Sequence, residues 1–384
     1  MRIALVTLRY DAPGGVETVV RQIAGRLRTG GDEVAVYASD LYDEGEWVRR
    51  TDFPPIVDGV PVHRFPVRRH LIPRLSMPMM VGLIDALAAS DADVLHAHSH
   101  RYGHVLQSAA VAERRGIPLV VSTHYHPAHR SESGLKRGLL RLQDAGFGAS
   151  AYRVARAIIV ITEHEARLVR EFAPRGRIHV IPHGIDLAAW GAPERDGPPP
   201  AGLPPQYFLF AGRLAPNKGL PELFEALARL DPPHRLPLVL LGPEWGQRSA
   251  LVAHASRLGL EREVVFLGHV DDPAAYRAVI RGAKALVLPS EYEAFGLVLL
   301  DAMAARVPIV ATAVGGVPEV LDGGRVGRLV PYGDPAALAQ ALRDVRDDAD
   351  GTRARTLAAS EWVTRYDWSV AIERLRSVYR AVAA

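Results

Sequence analysis

The chain has 384 residues, 48% of them hydrophobic and 23% charged, and a net charge of only +3. That length exceeds what one core usually fills and predicts two domains, while so small a charge gives no bulk attraction for nucleic acid. With no cysteine, a disulfide framework, a thiolate metal site and a cysteine nucleophile are excluded.

The N-terminus opens on Arg2-Ile3-Ala4-Leu5-Val6-Thr7, which reads as a first strand and lacks the long apolar region and cleavage site of a signal peptide. No later stretch has the roughly 18 uncharged apolar residues of a membrane span. A cytoplasmic protein is expected. Two basic-apolar segments, Arg68-Arg69-His70-Leu71-Ile72-Pro73 and Leu135-Lys136-Arg137 with Leu139, Leu140, Arg141 and Leu142, admit peripheral contact with the inner membrane face. A solvated arginine-rich face is the plainer reading of both.

Strand-like apolar runs at 3–7, 34–38, 60–65, 94–97, 119–122, 157–161 and 179–181 alternate with helical patterns. The first helix starts near Glu17 with Val19, Val20, Ile23, Ala24 and Leu27 on one face, and others cover 79–89 and 105–114. At 191–206 the proline content rules out a helix or a central strand and predicts a linker. Strand-like runs resume at 207–211, 238–241, 264–267, 285–288, 309–311 and 327–330, and an amphipathic helix closes the chain. The expected fold class is α/β, with two Rossmann-like parallel-sheet domains facing across a cleft. The expected boundaries are 1–190 for an N-terminal domain and 207–365 for a C-terminal one, with a final segment at 366–384. A cleft between domains favours a ligand.

The most informative segment is Pro289-Ser290-Glu291-Tyr292-Glu293-Ala294-Phe295-Gly296-Leu297, with Asp301 eight residues after Glu293 and Gly315, Gly316 and Glu319 further on. A buried strand ends at Pro289 and a helix follows over 295–304. Amides at such a helix start face phosphates, and the flanking carboxylates can grip hydroxyl groups. Arg213 and Lys218 follow a strand ending at Gly212, and two cations suit a leaving diphosphate. Gly14 and Gly15 lie between the first strand and the first helix, where glycine permits close approach to a phosphate. Their frame, Pro13-Gly14-Gly15-Val16-Glu17, is not the spacing of a dinucleotide fingerprint.

Seven of the fifteen histidines fall between His96 and His129. Alternating histidines on a strand are taken to face opposite ways, and no His-Glu-x-x-His helix exists, so zinc is not expected. His98 and His100 are expected to line the cleft as strand-end residues. Asp91-Ala92-Asp93 reads as a cap or turn, and the Asp347, Asp348, Asp350 group as a solvated helix end.

Together, Pro13 to Glu17, Gly212-Arg213-Leu214 with Lys218-Gly219, and Glu293 to Leu297 with Asp301 resemble the hallmark set of family 4 retaining glycosyltransferases, in order along nearly the whole chain. The resemblance implies the GT-B fold, a nucleotide-diphosphate sugar bound mainly by the C-terminal domain 207–365, an acceptor side on the N-terminal domain 1–190 lined by residues such as His98 and His100, a final helix over 366–384 packing back toward that domain, no metal and no cofactor. It assigns Glu293 to donor-sugar hydroxyls and the second acidic position to the ribose, where this chain has Asp301 in place of the family's usual Glu. It places His124 near the reacting carbon, and the Gly14-Gly15 loop over the diphosphate. Phe295, Gly296, Leu297 and the segment ending at Val270 join the donor site. The expected reaction moves a hexosyl unit from a UDP- or GDP-sugar to a hydroxyl of a lipid-linked, saccharide or small-molecule acceptor. The alternatives are an epimerase or phosphorylase of the same fold, or a weakly catalytic sugar-nucleotide-binding protein.

Overall fold

The computed structural model describes residues 1–12, 14–43, 47–68, 78–127 and 134–384. Pro13, the basic-apolar run 69–73 and His129 lie outside the described residues, as do the side chains of Lys136 and Arg137. The chain divides into one unit of Met1–His183 with Ser369–Ala384 and a second of Gly184–Trp368.

In the first unit seven strands run parallel: β1 (Arg2–Thr7), β2 (Glu33–Ser39), β3 (Val60–Phe65), β4 (Val94–His98), β5 (Leu119–Ser122), β6 (Ala157–Val160) and β7 (Ile178–Val180), in the order β7-β6-β5-β4-β1-β2-β3. Ile56–Val57 adds an antiparallel edge to β3. The central strands are buried on both faces, which is why β1 and β6 read as unbroken apolar runs rather than alternating ones. Helix α1 (Gly15–Thr29) buries Val19, Val20, Ile23, Ala24 and Leu27, as their spacing predicts.

The helix expected over 79–89 is shorter, Leu83–Ala88, and Met79–Met80 instead pairs antiparallel with Val67–Arg68. A side chain competes with the helix here. Gln107, on α2 (Gly103–Arg115), accepts from the Met80 amide at 3.1 Å and donates to its carbonyl at 2.8 Å. That clamp supplies what an i→i−4 helical bond would have supplied.

The closing helix, Trp368–Ala383, contributes all but its first residue to the first unit. Tyr379 is fully buried, with its hydroxyl 2.6 Å from Nδ1 of His96. Arg376 pairs with Asp32 at 2.8 Å, and Arg156 donates to the Val382 carbonyl at 2.9 Å.

The second unit has six parallel strands: β8 (Phe208–Ala211), β9 (Leu238–Leu241), β10 (Val264–Gly268), β11 (Ala285–Leu288), β12 (Ile309–Thr312) and β13 (Arg328–Val330), in the order β10-β9-β8-β11-β12-β13. The chain lays down β8 to β10 outward on one side, then returns to place β11 against β8. Strand order therefore reverses between β8 and β11, and the loops leaving those two strands diverge there. The proline-rich segment read as a linker packs on this unit. Asp196 accepts from Arg277 at 2.9 Å and from Arg281 at 2.6 Å. The unit boundary falls before this segment, between His183 and Gly184.

Candidate active site

Ligands of open α/β sheets bind beyond the carboxyl ends of the strands, where the strand order reverses. In the second unit that point is flanked by two loops carrying charge. The β8 loop ends in a short turn, Pro216–Lys218, before helix α5 (Leu220–Ala228), and the β11 loop precedes helix α7 (Leu297–Ala304). Across them Lys218 Nζ meets Glu293 Oε1 at 2.5 Å, with the two side chains only 14% and 13% exposed. Ser290 Oγ donates to the same oxygen at 2.9 Å. Both predicted residues are thus brought together, already paired.

Backbone contacts hold the loops in register. The Glu291 amide donates to the Asn217 carbonyl at 2.9 Å, the Gly316 amide to the Glu293 carbonyl at 2.9 Å, and Thr312 Oγ1 to the Ser290 carbonyl at 2.6 Å. Two glycines make the approach possible. A Cβ on Gly219 (φ 64°) would stand 1.9 Å from the Pro289 carbonyl oxygen, and one on Gly315 (φ 56°) 1.9 Å from that of Glu293. No side chain fits either contact, so the Lys-Gly and Gly-Gly patterns are conditions of loop packing as well as of ligand approach.

Arg213 is exposed and does not join the Lys218–Glu293 pair. Its guanidinium carbon lies 4.4 Å from the ring centroid of Trp245, in the loop after β9. Trp245 is 46% exposed and escaped the sequence reading, which had no signal beyond its place just after a strand. Asp301, in the second turn of α7, is half-buried and accepts from the Tyr276 hydroxyl at 2.7 Å. Burial pushes its carboxyl up to about 6, and the tyrosine hydrogen bond opposes that rise.

Phe295 is 3% exposed and packs edge-on against Tyr366, with ring centroids 5.7 Å apart, so its side chain is core. The helix expected from 295 begins at Leu297, because Gly296 takes a left-handed conformation at its start. Leu297 and Val270 are half-buried, Val270 just ahead of helix α6 (Pro273–Gly282).

In the first unit strand order reverses between β1 and β4. Gly14 caps α1, and its carbonyl accepts from the Thr18 amide and hydroxyl at 3.0 and 2.9 Å; Gly15 is the first, exposed helical residue. A Cβ on Gly14 would meet the Glu17 carboxylate, which is itself paired with Arg9 at 2.6 Å.

His124 follows β5 at φ 42°. What holds it there is Glu165, on helix α4 (Glu163–Val169), with a fully buried carboxylate. Glu165 accepts from the Tyr125 amide at 2.6 Å, the Ile161 amide at 2.7 Å and the Thr123 hydroxyl. Burial raises its carboxyl and those three hydrogen bonds pull it back. The sequence reading missed Glu165, which looks like one more acid in a charged helix.

The histidines are arranged differently from expectation. Residues two apart on a strand share a face, and the His96 and His98 rings lie side by side, 4.1 Å between centroids. The row continues through His124 and His183 at 5.6 and 5.5 Å. His98 and His100 are buried and line no surface. His98 Nδ1 is 3.3 Å from His124 Nε2, while His100 lies between the Tyr152 hydroxyl at 2.6 Å and Asp144 at 2.8 Å. Burial lowers His96 to about 3 and His104 and His183 to about 4, and takes His98 and His124 well below their usual range. Asp144 is pushed up by burial but is held at about 2 by hydrogen bonds from His100 and Arg101. Among the described residues no three His, Asp or Glu side chains converge as metal ligands. Asp93 accepts from the Arg2 amide at 2.8 Å and ties two strand starts together, a structural role.

The profile described as "Glycosyl transferases group 1" matches residues 196–360, and that described as "Glycosyltransferase Family 4" matches 13–189. The chain is 31% identical to D-inositol 3-phosphate glycosyltransferase 1 of Catenulispora acidiphila, over 96% of this chain and 91% of that one. It is also 31% identical to phosphatidyl-myo-inositol mannosyltransferase of Mycobacterium leprae, over 100% and 97%. Among solved structures, Anabaena Alr3699/HepE in complex with UDP superposes with a TM-score of 0.76 at 20% identity, over 99% of this chain and 100% of that chain. The chain belongs to the family 4 glycosyltransferases and has their GT-B fold of two Rossmann-like units.

Proposed function

We propose that the protein transfers a hexosyl unit from a UDP- or GDP-sugar to an acceptor hydroxyl, with retention of configuration and without a metal. The observation that carries this is the Lys218–Glu293 pair at the point of strand reversal. In the resting protein each charge neutralises the other. A donor splits the pair, its diphosphate taking Lys218 and its sugar hydroxyls taking Glu293. The anomeric C–O bond to phosphate then breaks as the acceptor oxygen bonds to that carbon from the same face. The acceptor proton passes to the departing phosphate oxygen, and nucleoside diphosphate leaves. Lys218 and Arg213 act on charge that grows during this step, where fixed cations accelerate reaction most. Asp301 binds the nucleotide ribose.

The relatives' names point to an acceptor that carries inositol, free as its phosphate or lipid-linked. A lipid-linked acceptor agrees with Leu135 and Leu142, 78% and 70% exposed on helix α3 (Gly134–Gln143) beside Arg141. Among the described residues no helix is long and apolar enough to cross a membrane, so contact with lipid would be peripheral.

The test is nucleotide release from UDP- and GDP-sugars with inositol phosphate, phosphatidylinositol in vesicles or an α-glucan as acceptor, in EDTA, with product anomers assigned by NMR. An axial product from an axial donor is expected. An inverted product, or activity abolished by EDTA and restored by a divalent cation, would overturn the mechanism. Sugar conversion without nucleotide release would identify an epimerase.

A further inference from the structure

One contact in the second unit has no counterpart in the hallmark pattern: the hydrogen bond from Tyr276 to Asp301. Tyr276 stands on α6, whose first turn is fixed by the Asp272 side chain accepting from the Ala274 and Ala275 amides at 3.0 and 3.3 Å. Asp301 stands on α7. Both side chains are half-buried, and only Oδ2 of the carboxylate is engaged; among the described residues Oδ1 accepts no hydrogen bond. A carboxylate accepts at both oxygens; Oδ1 is not among the buried oxygens without a partner, so with Oδ2 engaged it is the oxygen that stays accessible to a ligand hydroxyl.

The pair is matched in size. A glutamate at 301 would carry its carboxylate about 1.5 Å further, one C–C bond, into a phenol that now stands 2.7 Å from Oδ2. A tyrosine is also a rigid partner, with two side-chain torsions to fix. Its hydrogen bond favours the ionised carboxylate against the effect of burial.

We infer that Tyr276 is the positioning residue of the ribose site: by holding Oδ2 it turns Oδ1 of the short Asp301 to a hydroxyl of the nucleotide ribose. This rests on the donor reading proposed above. Tyr276 touches the acid and not the reacting atoms, so its loss acts on nucleotide affinity and on the distinction between ribose and deoxyribose.

The experiment is calorimetric titration of the full chain with UDP, GDP and their 2′-deoxy and 3′-deoxy forms, for wild type, Tyr276→Phe, and Tyr276→Phe combined with Asp301→Glu. Wild type should bind one ribonucleotide about 10–100-fold more tightly than the deoxy form lacking the bonded hydroxyl, as expected for a hydrogen bond to a charged group. Tyr276→Phe should bring the ribonucleotide down toward the deoxy form, whose affinity stays put. The double variant, with room for the longer acid, should regain most of the discrimination. A Tyr276→Phe protein that keeps the wild-type ratio, or weakens ribo and deoxy forms equally, would overturn the inference and leave the donor reading standing. Wild type binding neither UDP nor GDP would overturn both.

Discussion

The two units share a plan and use it in opposite ways. Each has a parallel sheet whose order reverses beside its first strand, and each gathers polar residues at the carboxyl ends of the strands. In the first unit those residues are sunk: three fully buried histidines, the fully buried Glu165 and the Asp144 hub make their hydrogen bonds inside the protein, with one ring nitrogen each of His98 and His104 left unpartnered among the described residues. In the second, charge stays near the surface, as Lys218 against Glu293 and Arg213 against Trp245. Buried networks specify a shape, and accessible charges can trade partners when a ligand arrives. The first unit is therefore built to hold loops still and the second to exchange contacts.

Substitutions should separate these roles. Lys218→Ala is expected to lower kcat by about two to four powers of ten, with little change in melting temperature, because Glu293 keeps Ser290 and some solvent. A melting shift with kcat intact would reverse the contrast. Glu165→Ala, which orphans the buried Tyr125 and Ile161 amides and leaves the Thr123 hydroxyl only its longer contact to the Ile159 carbonyl, should destabilise the first unit by about 3 kcal/mol or more, read by urea unfolding. The second unit's amide protection should stay unchanged.

Acid gives a third test. The histidines are neutral in the fold with lowered pKa values, so their contribution is complete above the unfolded value of 6.5 and is lost as pH falls toward 3 or 4. Each can contribute up to about 1.4 kcal/mol per pH unit in that window. Asp301, raised to about 6, runs the other way, its contribution present below 3.8 and lost as pH rises through 6. Hydrogen exchange between pH 7 and 5 should show protection falling in the first unit before the second. Smallest is Trp245→Ala, which removes a cation–π contact worth about 0.5–1 kcal/mol. It should cost a few-fold in kcat/KM by loosening Arg213, with a smaller loss for Trp245→Phe.

The sequence carried the parallel sheets, the order of strands along the chain and the loops that bear Arg213, Lys218 and Glu293, because buried strands and strand-to-helix turns leave local patterns. What it hid was set by partners distant in the chain. Gln107 stops a helix at Met80, 27 residues away. Glu165 holds the Tyr125 amide, beside His124, from 40 residues further along the chain. Tyr276 meets Asp301 from a neighbouring helix, with nothing in the spacing to announce it. The histidine row follows from strand periodicity once applied correctly, and Phe295 falls into the core because the turn at Gly296 swings it away from the helix face.

The Tyr379–His96 hydrogen bond joins residues 283 positions apart, and this has a consequence for synthesis. The second unit is continuous in sequence from Gly184 to Trp368, so it can close as it leaves the ribosome. The first unit emerges earlier yet lacks its last helix until Ser369–Ala384 has been made. At roughly 5–20 residues per second the wait is about 10–40 s, during which His96 on β4 keeps Ser122 but lacks its tyrosine partner, and the strip that the last helix covers stays open. Nascent chains halted before Ser369 should therefore be held by chaperones at the first unit, the half of the protein that is made first and finished last.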